Sequence, residues 1–386
     1  VDPYACILAR THQAEQPYAC LTLSLAFLQR VLAPVVGPLV SPIYRGVIAR
    51  KNRAFDAGKR VVTLDRPVIS VGNLSTGGTG KTPTVTAIVK LLASHGHKPC
   101  IAMRGFGAPA GQGHLSDEAR EYARTCEGVA IVAQPNRTEG LLVLFASEQG
   151  KDVDVVVLDD GFQHRQIARQ LDIVLIDATR SPFEDALLPA GNLREPTSSL
   201  RRAQIIIITR SDSIDPTALD NLCSNLREQA QSAHICTARH AWHSLMRVAG
   251  AEAAHVPPRV LESKKLALAC AIGNPQAFLA QASRETHAHI DPQATLILPD
   301  HDPYEPATIA RLLKLSKGCD ALLLTAKDWV KLTRVKPEAW PCPVYVPELS
   351  MEIADCSPAK ESEPTTWQQI VLDTASLELD DDHAND

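Results

Sequence analysis

The segment that most limits what this chain can become is Val68-Ile-Ser-Val-Gly-Asn-Leu-Ser-Thr-Gly-Gly-Thr-Gly-Lys-Thr82. An apolar strand runs into a glycine-rich turn and then directly into residues that read as a helix. Gly77, Gly78 and Gly80 let the backbone wrap a phosphate without Cβ clashes, and their N–H groups join the helix N-terminus in holding the anion. Ser75, Thr76, Gly77, Gly78, Thr79, Gly80, Lys81 and Thr82 are therefore the candidate ATP-binding loop. Lys81 is placed to reach the β- and γ-phosphates, and Thr82 to ligate Mg2+. The usual G-x-x-x-x-G-K-S/T pattern has Gly where this chain has Ser75, so the match is a variant.

The surrounding pattern is the β-α alternation of a mostly parallel sheet covered by helices. Strand candidates lie at 68–71, 101–103, 129–132, 153–158, 173–176 and 205–209, with helices notably at 82–94 and 216–232. After a stretch expected to be irregular (234–258), a second series begins: strand 266–271, a helix near 275–282, strand 295–298, a helix near 306–315 and strand 321–324. At 386 residues the chain is too long for one compact core. The fold expected is α/β: a P-loop NTPase-like, mostly parallel sheet with helices on both faces, a second smaller α/β domain, and an N-terminal membrane-contacting segment. The boundaries expected are 1–60 for that segment, 61–240 for the P-loop core, 241–262 for a connecting hinge, 263–350 for the smaller domain, and 351–386 for a C-terminal region. That last region ends in an acidic, disordered tail at 378–386.

Val153-Asp-Val-Val-Val-Leu-Asp159-Asp160-Gly161 is a buried strand ending in carboxylates, the Walker B arrangement that sets an acid beside a loop-bound metal. Phe162, Gln163, His164 and Arg165 follow at the same sheet edge. Asp117-Glu118 follows Ser116 in a polar stretch: on spacing alone it reads first as a helix start capped by Ser116, with a carboxylate that takes the proton of an attacking hydroxyl as the alternative. His301, in Leu298-Pro-Asp-His-Asp-Pro-Tyr304, reads as a loop histidine or as a catalytic partner. Arg104, Arg137 and Arg194 are loop arginines open to surface solvation or to phosphate charge.

The N-terminus carries an apolar stretch, but the uncharged run between Arg30 and Arg45 is only 14 residues, short of the ~20 that span a bilayer. Pro34, Pro38 and Pro42 each remove a helical hydrogen bond, so a regular spanning helix is not expected. Six basic residues follow between 45 and 60 against the single acid Asp56. Apolar chain beside a basic cluster suits an anionic membrane surface; packing on the protein's own core suits the apolar run equally. The overall net charge of −5 argues against a nucleic-acid binder. The ten cysteines form no CxxC, and reduced thiols without a disulfide framework are expected.

Taken together, these stretches resemble the tetraacyldisaccharide 4'-kinase (lipid A 4'-kinase) family. The resemblance is carried by PVISVGNLSTGGTGKTP (67–83), RGFG (104–107), SDE (116–118), LDDGFQHR (158–165), LLPAGNLREP (187–196), LPDHDPY (298–304) and TAKDWVKL (325–332), in the family's order over roughly 25–350. It implies an enzyme at the cytoplasmic face of the inner membrane. ATP and Mg2+ would phosphorylate the 4'-hydroxyl of an acylated glucosamine disaccharide 1-phosphate lipid, giving lipid IVA and ADP. No obligate protein partner is inferred. It further implies Asp117 as general base, paired with His301 from the second domain, with Lys81 completing the catalytic set. Thr82, Asp159, Asp160 and Glu118 would surround the metal, and Arg137, Gln163, His164 and Arg194 the phosphates or substrate. It also favours membrane contact for the N-terminus. Two departures stand out: Phe106 replaces the usual tyrosine of SRGYGG, and Ala326 the glutamate of TEKD.

Two other classes share the loop. A regulatory GTPase or metallochaperone would read guanine with N/T-K-x-D; Thr209-Arg-Ser-Asp212 follows a strand as that motif does, but with Arg for Lys. The DxxG of that class is missing, since Leu158 lies three before Gly161. A peripheral membrane ATPase of the partitioning type carries a lysine early in the loop, where this chain has Ser75 and Thr76.

Overall fold

The computed structural model describes residues 22–105, 116–250, 252–300, 302–354, 356–357 and 365–377, apart from the side chains of 22–36 and of Asp117. His301, Phe106, residues 1–18 and the acidic tail at 378–386 lie outside the described residues. Two compact units emerge, one within Val1–Arg239 and Met351–Asp386, the other His240–Ser350.

The chain opens with α1 (Thr22–Asp56) and then alternates through β1 (Val68–Asn73), α2 (Lys81–Ser94), β2 (Pro99–Met103), α3 (Asp117–Thr125), β3 (Ala130–Ala133), α4 (Arg137–Phe145) and β4 (Val155–Asp159). It continues through β5 (Leu171–Asp177), β6 (Ile205–Thr209), α5 (Pro216–Gln229) and β7 (His234–Ala249). The strands of this first unit pair in parallel in the order β3-β2-β4-β1-β5-β6-β7. β1, β4, β5 and β6 are buried at every residue, as near-continuous apolar runs are when helices cover both faces of a parallel sheet. On one face, Ile69, Val71, Val157 and Ile173 meet Val85, Ile88 and Leu92 of α2 and Tyr122 of α3. On the other, Val156 and Leu158 meet Leu141 and Leu144 of α4, while Val174 and Ile206 meet Leu222 and Leu226 of α5.

The second unit contains β8 (Ala254–Val256), β9 (Lys265–Cys270), α6 (Pro275–Thr286), β10 (His289–Ile297), α7 (Pro306–Leu315), β11 (Ala321–Leu324), α8 (Ala326–Leu332) and most of β12 (Val344–Ile353). β10, β9, β11 and β12 pair in parallel in that order, and β8 runs antiparallel to β7. The chain then returns to the first unit, where Trp367 and Val371 of α9 (Trp367–Ala375) join the core over α2.

Two expectations are corrected. The stretch 234–258 is not irregular but holds β7 and β8. Polar His234, His240 and His243 interrupt its apolar residues, and the buried positions change phase between Ala238 and Ala241, which blurs a period of two. Pro34, Pro38 and Pro42, where no regular spanning helix is expected, lie inside α1, a helix not apolar enough to span a membrane. Pro38 and Pro42 are exposed, so water can reach the carbonyls left without a donor. The cysteines are not all free thiols, because Cys236 and Cys356 are joined by a disulfide across 120 residues. The antiparallel bridge Ile235–Ser357 brings them together, a contact that sequence spacing cannot reveal. Among the described residues no helix is long and apolar enough to cross a membrane.

Two glycines set how closely the turn after β4 approaches β1. A Cβ on Gly72 would lie 2.6 Å from Phe162 Cβ, and one on Gly161 would lie 2.6 Å from Ser70 Oγ. Gly161 N–H donates to the Val71 carbonyl at 3.0 Å. Gly78, by contrast, has open space around it. We expect Gly72→Ala to cost about 1–3 kcal/mol, read as a lowered Tm, and Gly78→Ala to leave Tm nearly unchanged. Equal melting of Gly72→Ala and wild type would contradict the close approach.

Candidate active site

The glycine-rich loop leaves β1 at Asn73 and is pinned along its first leg. Ser75 pairs antiparallel with Leu193; Thr76 N–H donates to the Asn192 carbonyl at 2.8 Å and Arg194 N–H to the Leu74 carbonyl at 2.7 Å. Gly77 (φ 110°) and Gly80 (φ 86°) carry the left-handed backbone that turns the loop into α2, where side chains are disfavoured. Asn73 Nδ2 donates to Thr79 Oγ1 at 3.0 Å, so a buried strand residue holds the buried middle of the loop. Gln163 Nε2 donates to the Asn73 carbonyl at 2.8 Å, tying in the turn after β4.

That turn brings the two carboxylates to Lys81. Asp160, at φ 51°, sits 3.5 Å from Lys81 Nζ. Arg194 Nη1 reaches both its oxygens, at 2.9 and 2.7 Å, and Gln163 Oε1 at 3.4 Å. Arg137, buried at the first position of α4, donates to the Asp160 carbonyl at 3.4 Å. Burial works against the Asp160 charge, but Lys81 and then Arg194 outweigh it and hold the carboxyl below its usual range. Asp159 is buried at the end of β4, and burial pushes its carboxyl up to about 6 against the pull of Lys81. Its Oδ1 has no hydrogen-bond partner.

An orphaned buried carboxylate oxygen beside a loop threonine is the kind of site that accepts a hard divalent cation. Thr82, Asp159 and Asp160 supply the oxygen donors such an ion prefers. Among the described residues no group of three or more His, Cys, Asp or Glu could hold a metal. The donor set fits an ion bound by one or two carboxylates and completed by nucleotide phosphates.

The remaining candidates fall in different places. Ser116 Oγ accepts from Ala119 N–H at 3.2 Å, so α3 is capped as its sequence suggests, with Asp117 as first residue. Glu118 is exposed in that first turn and makes no hydrogen bond or ion pair among the described residues. His164 is lowered to about 4 by burial and then by Arg137 and Arg169, so it is neutral near pH 7; its Nε2 is unpartnered. His301 lies outside the described residues.

Sequence reasoning missed Tyr122. It is fully buried on α3, with its hydroxyl near Asp159 and Thr82 though in no well-formed hydrogen bond to either. Burial, and then the Asp159 charge, pushes the phenol well above its usual range. Its only sequence signal was the apolar side of a short helix. Asn73 was missed as well, since it reads as the tail of a strand.

Comparison with known proteins shows which family the sequence and the fold resemble. The sequence model of the family described as tetraacyldisaccharide-1-P 4'-kinase matches residues 32–361. A tetraacyldisaccharide 4'-kinase of Chlorobaculum parvum is 35% identical over 306 residues, 75% of this chain and 82% of the relative. One from Geobacter metallireducens is 32% identical over 350 residues, 86% of this chain and 97% of the relative. The crystal structure of LpxK from Aquifex aeolicus in complex with ATP superposes with a TM-score of 0.62 at 25% identity, covering 85% of this chain and 95% of that one.

Because Lys81 is the cation that bridges the loop and Asp160, we expect Lys81→Ala to abolish ATP turnover while Tm stays near wild type. Near-wild-type turnover by the purified variant would remove the loop from the active site.

Proposed function

The chain belongs to the tetraacyldisaccharide-1-P 4'-kinase family, and we propose that it moves the γ-phosphate of ATP to the 4'-hydroxyl of a tetraacylated glucosamine disaccharide 1-phosphate, giving lipid IVA and ADP. The observation that carries this reading is the convergence of Lys81, Arg137 and Arg194 on Asp159 and Asp160 at the mouth of the loop. Phosphoryl transfer needs little covalent chemistry from the protein; it needs the phosphates held in line and their charge matched. Three cations against two carboxylates leave net positive charge for the phosphates. The pinned loop supplies N–H donors that need no reorganisation during transfer.

Thr82, Asp159 and Asp160, together with Glu118 in the first turn of α3, would hold Mg2+. Bound there, the ion would neutralise phosphate charge as transfer proceeds. Arg194 holds the Asp160 carboxylate in place, and Gln163 holds the loop's root. The neutral His164 keeps a buried ring nitrogen without a partner beside this turn. Asp117 takes the proton of the sugar hydroxyl. The capped start of α3 fixes its backbone. The family match favours the kinase over the regulatory GTPase and partitioning ATPase readings.

α1 supports a membrane-facing role at the cytoplasmic face of the inner membrane. Leu39, Ile43 and Val47 are 76%, 67% and 60% exposed, and their spacing of four puts them on one stripe of the helix. Exposed Arg45, Arg50, Lys51 and Arg53 accompany them. The opposite side is anchored: Tyr44 OH donates to the Arg194 carbonyl at 3.0 Å, Ser41 Oγ to the Leu187 carbonyl at 3.2 Å, and Asn52 Nδ2 to Glu195 at 2.7 Å. ATP, the lipid disaccharide and the membrane surface are the partners this reading calls for.

Two experiments follow. ATP turnover should require the lipid disaccharide acceptor, with GTP a poor substitute, and Asp117→Asn should lower kcat ~10²–10⁴-fold while ATP affinity barely changes. Acceptor-independent hydrolysis, or full kcat in Asp117→Asn, would sink the kinase assignment or the base, respectively. Ile43→Asp with Val47→Asp should release the protein from anionic vesicles and raise KM for the lipid more than for ATP. Unchanged sedimentation with vesicles would rule out the stripe as a membrane contact.

A further inference from the structure

The turn after β6, Thr209-Arg210-Ser211-Asp212, looks in sequence like a base-reading motif, yet its arginine points to a different task. Arg210 Nη2 donates to the Gly78 carbonyl, in the middle of the phosphate loop, at 3.1 Å. A loop that cradles a phosphate turns successive N–H groups inward, and its carbonyls must then face outward and find donors elsewhere. Gly78 finds Arg210.

The arginine is itself aimed. Its Nε donates to Asp177 Oδ1 at 2.9 Å, and its Nη2 pairs with the second oxygen of that carboxylate. Asp177 is buried at the end of β5 and is fixed in turn by Thr179, whose N–H and Oγ1 donate to it at 3.0 and 2.8 Å. The Ala178 N–H to Thr209 carbonyl bond, 2.9 Å, locks the β5 and β6 turns together. Arg210 adopts a left-handed backbone, φ 55°, a conformation that costs free energy in a non-glycine residue and persists where the surroundings impose it.

We propose that Arg210, oriented by Asp177, is a positioning residue for nucleotide binding: it braces the Gly78 carbonyl outward so that the loop stays shaped for phosphate when empty. The inference deepens the ATP-loop reading and rests on it. Arginine suits the role because one planar fork serves a carboxylate and a carbonyl at once, which a lysine ammonium on a flexible stem does not.

The test compares Arg210→Met, Arg210→Lys and the double variant Arg210→Met/Asp177→Asn in the full chain, reading ATP Kd, KM for ATP and for the lipid acceptor, and Tm. Arg210→Met should raise ATP Kd about tenfold, the loss of one charge-assisted hydrogen bond, with the acceptor KM unchanged. Arg210→Lys should fall between that variant and wild type. Arg210→Met also leaves Asp177 buried without its cation, so Tm falls; the double variant removes that charge and should recover Tm but not ATP affinity. Recovery of ATP affinity together with Tm would make the pair merely structural and overturn the proposal. So would wild-type ATP Kd in folded Arg210→Met while Lys81→Ala is inactive. Wild-type turnover in Lys81→Ala would instead overturn the loop reading beneath it.

Discussion

The close approach of β1 and the turn after β4 underlies the rest of the site. Gly72 and Gly161 leave no side chain between them and their neighbours, so Phe162 packs against the β1 backbone and the Gly161 N–H closes onto Val71. The chain can then turn at Asp160 with φ 51° and deliver its carboxylate to Lys81 at the start of α2. Phe162 carries the guanidinium of Arg202 over its ring, 4.2 Å from the centroid, and Arg202 in turn pairs with buried Glu195 at 3.0 Å. A single steric allowance thus links the loop, the acid pair and the segment bearing Arg194.

Charge in the site is arranged by depth. Asp159, enclosed at the strand end, is raised to about 6 by burial. Asp160, beside Lys81 and Arg194, is held below its usual range. Two adjacent carboxylates therefore differ in proton affinity because one is set in the core and the other among cations. Burial, and then Arg137 and Arg169, lower His164 to about 4. An excess of positive charge around a partly enclosed loop suits a ligand with several phosphate charges. α1 reaches this network through Tyr44 and Asn52, which hold the Arg194–Glu195 backbone and side chain. The helix with the exposed apolar stripe is thereby joined to the nucleotide side of the fold.

The strand–loop–helix around Lys81 and the acidic end of β4 were legible because local spacing alone dictates them: an apolar run, glycines, a lysine and a threonine in order. The β-α alternation was legible for the same reason. What stayed hidden depends on contacts between distant residues. Tyr122 gains meaning only when α3 packs beside Asp159. Cys236 and Cys356 meet only after the chain has passed through the second unit. β7 was masked by its histidines and its change of phase. Arg210 appeared as an imperfect base-reading motif, and its bond to Gly78 needed the fold to become visible.

The central claim is that nucleotide phosphates and a divalent ion meet between the glycine-rich loop and the carboxylates that follow β4. A crystal structure with a non-hydrolysable ATP analogue and Mn2+ in place of Mg2+ tests it most directly, because the anomalous signal locates the ion without assumption. The account predicts one peak beside Thr82 and the Asp159–Asp160 carboxylates, with analogue phosphates cradled by residues 77–82. A peak elsewhere, or an analogue bound away from Lys81 with the loop empty, would contradict it.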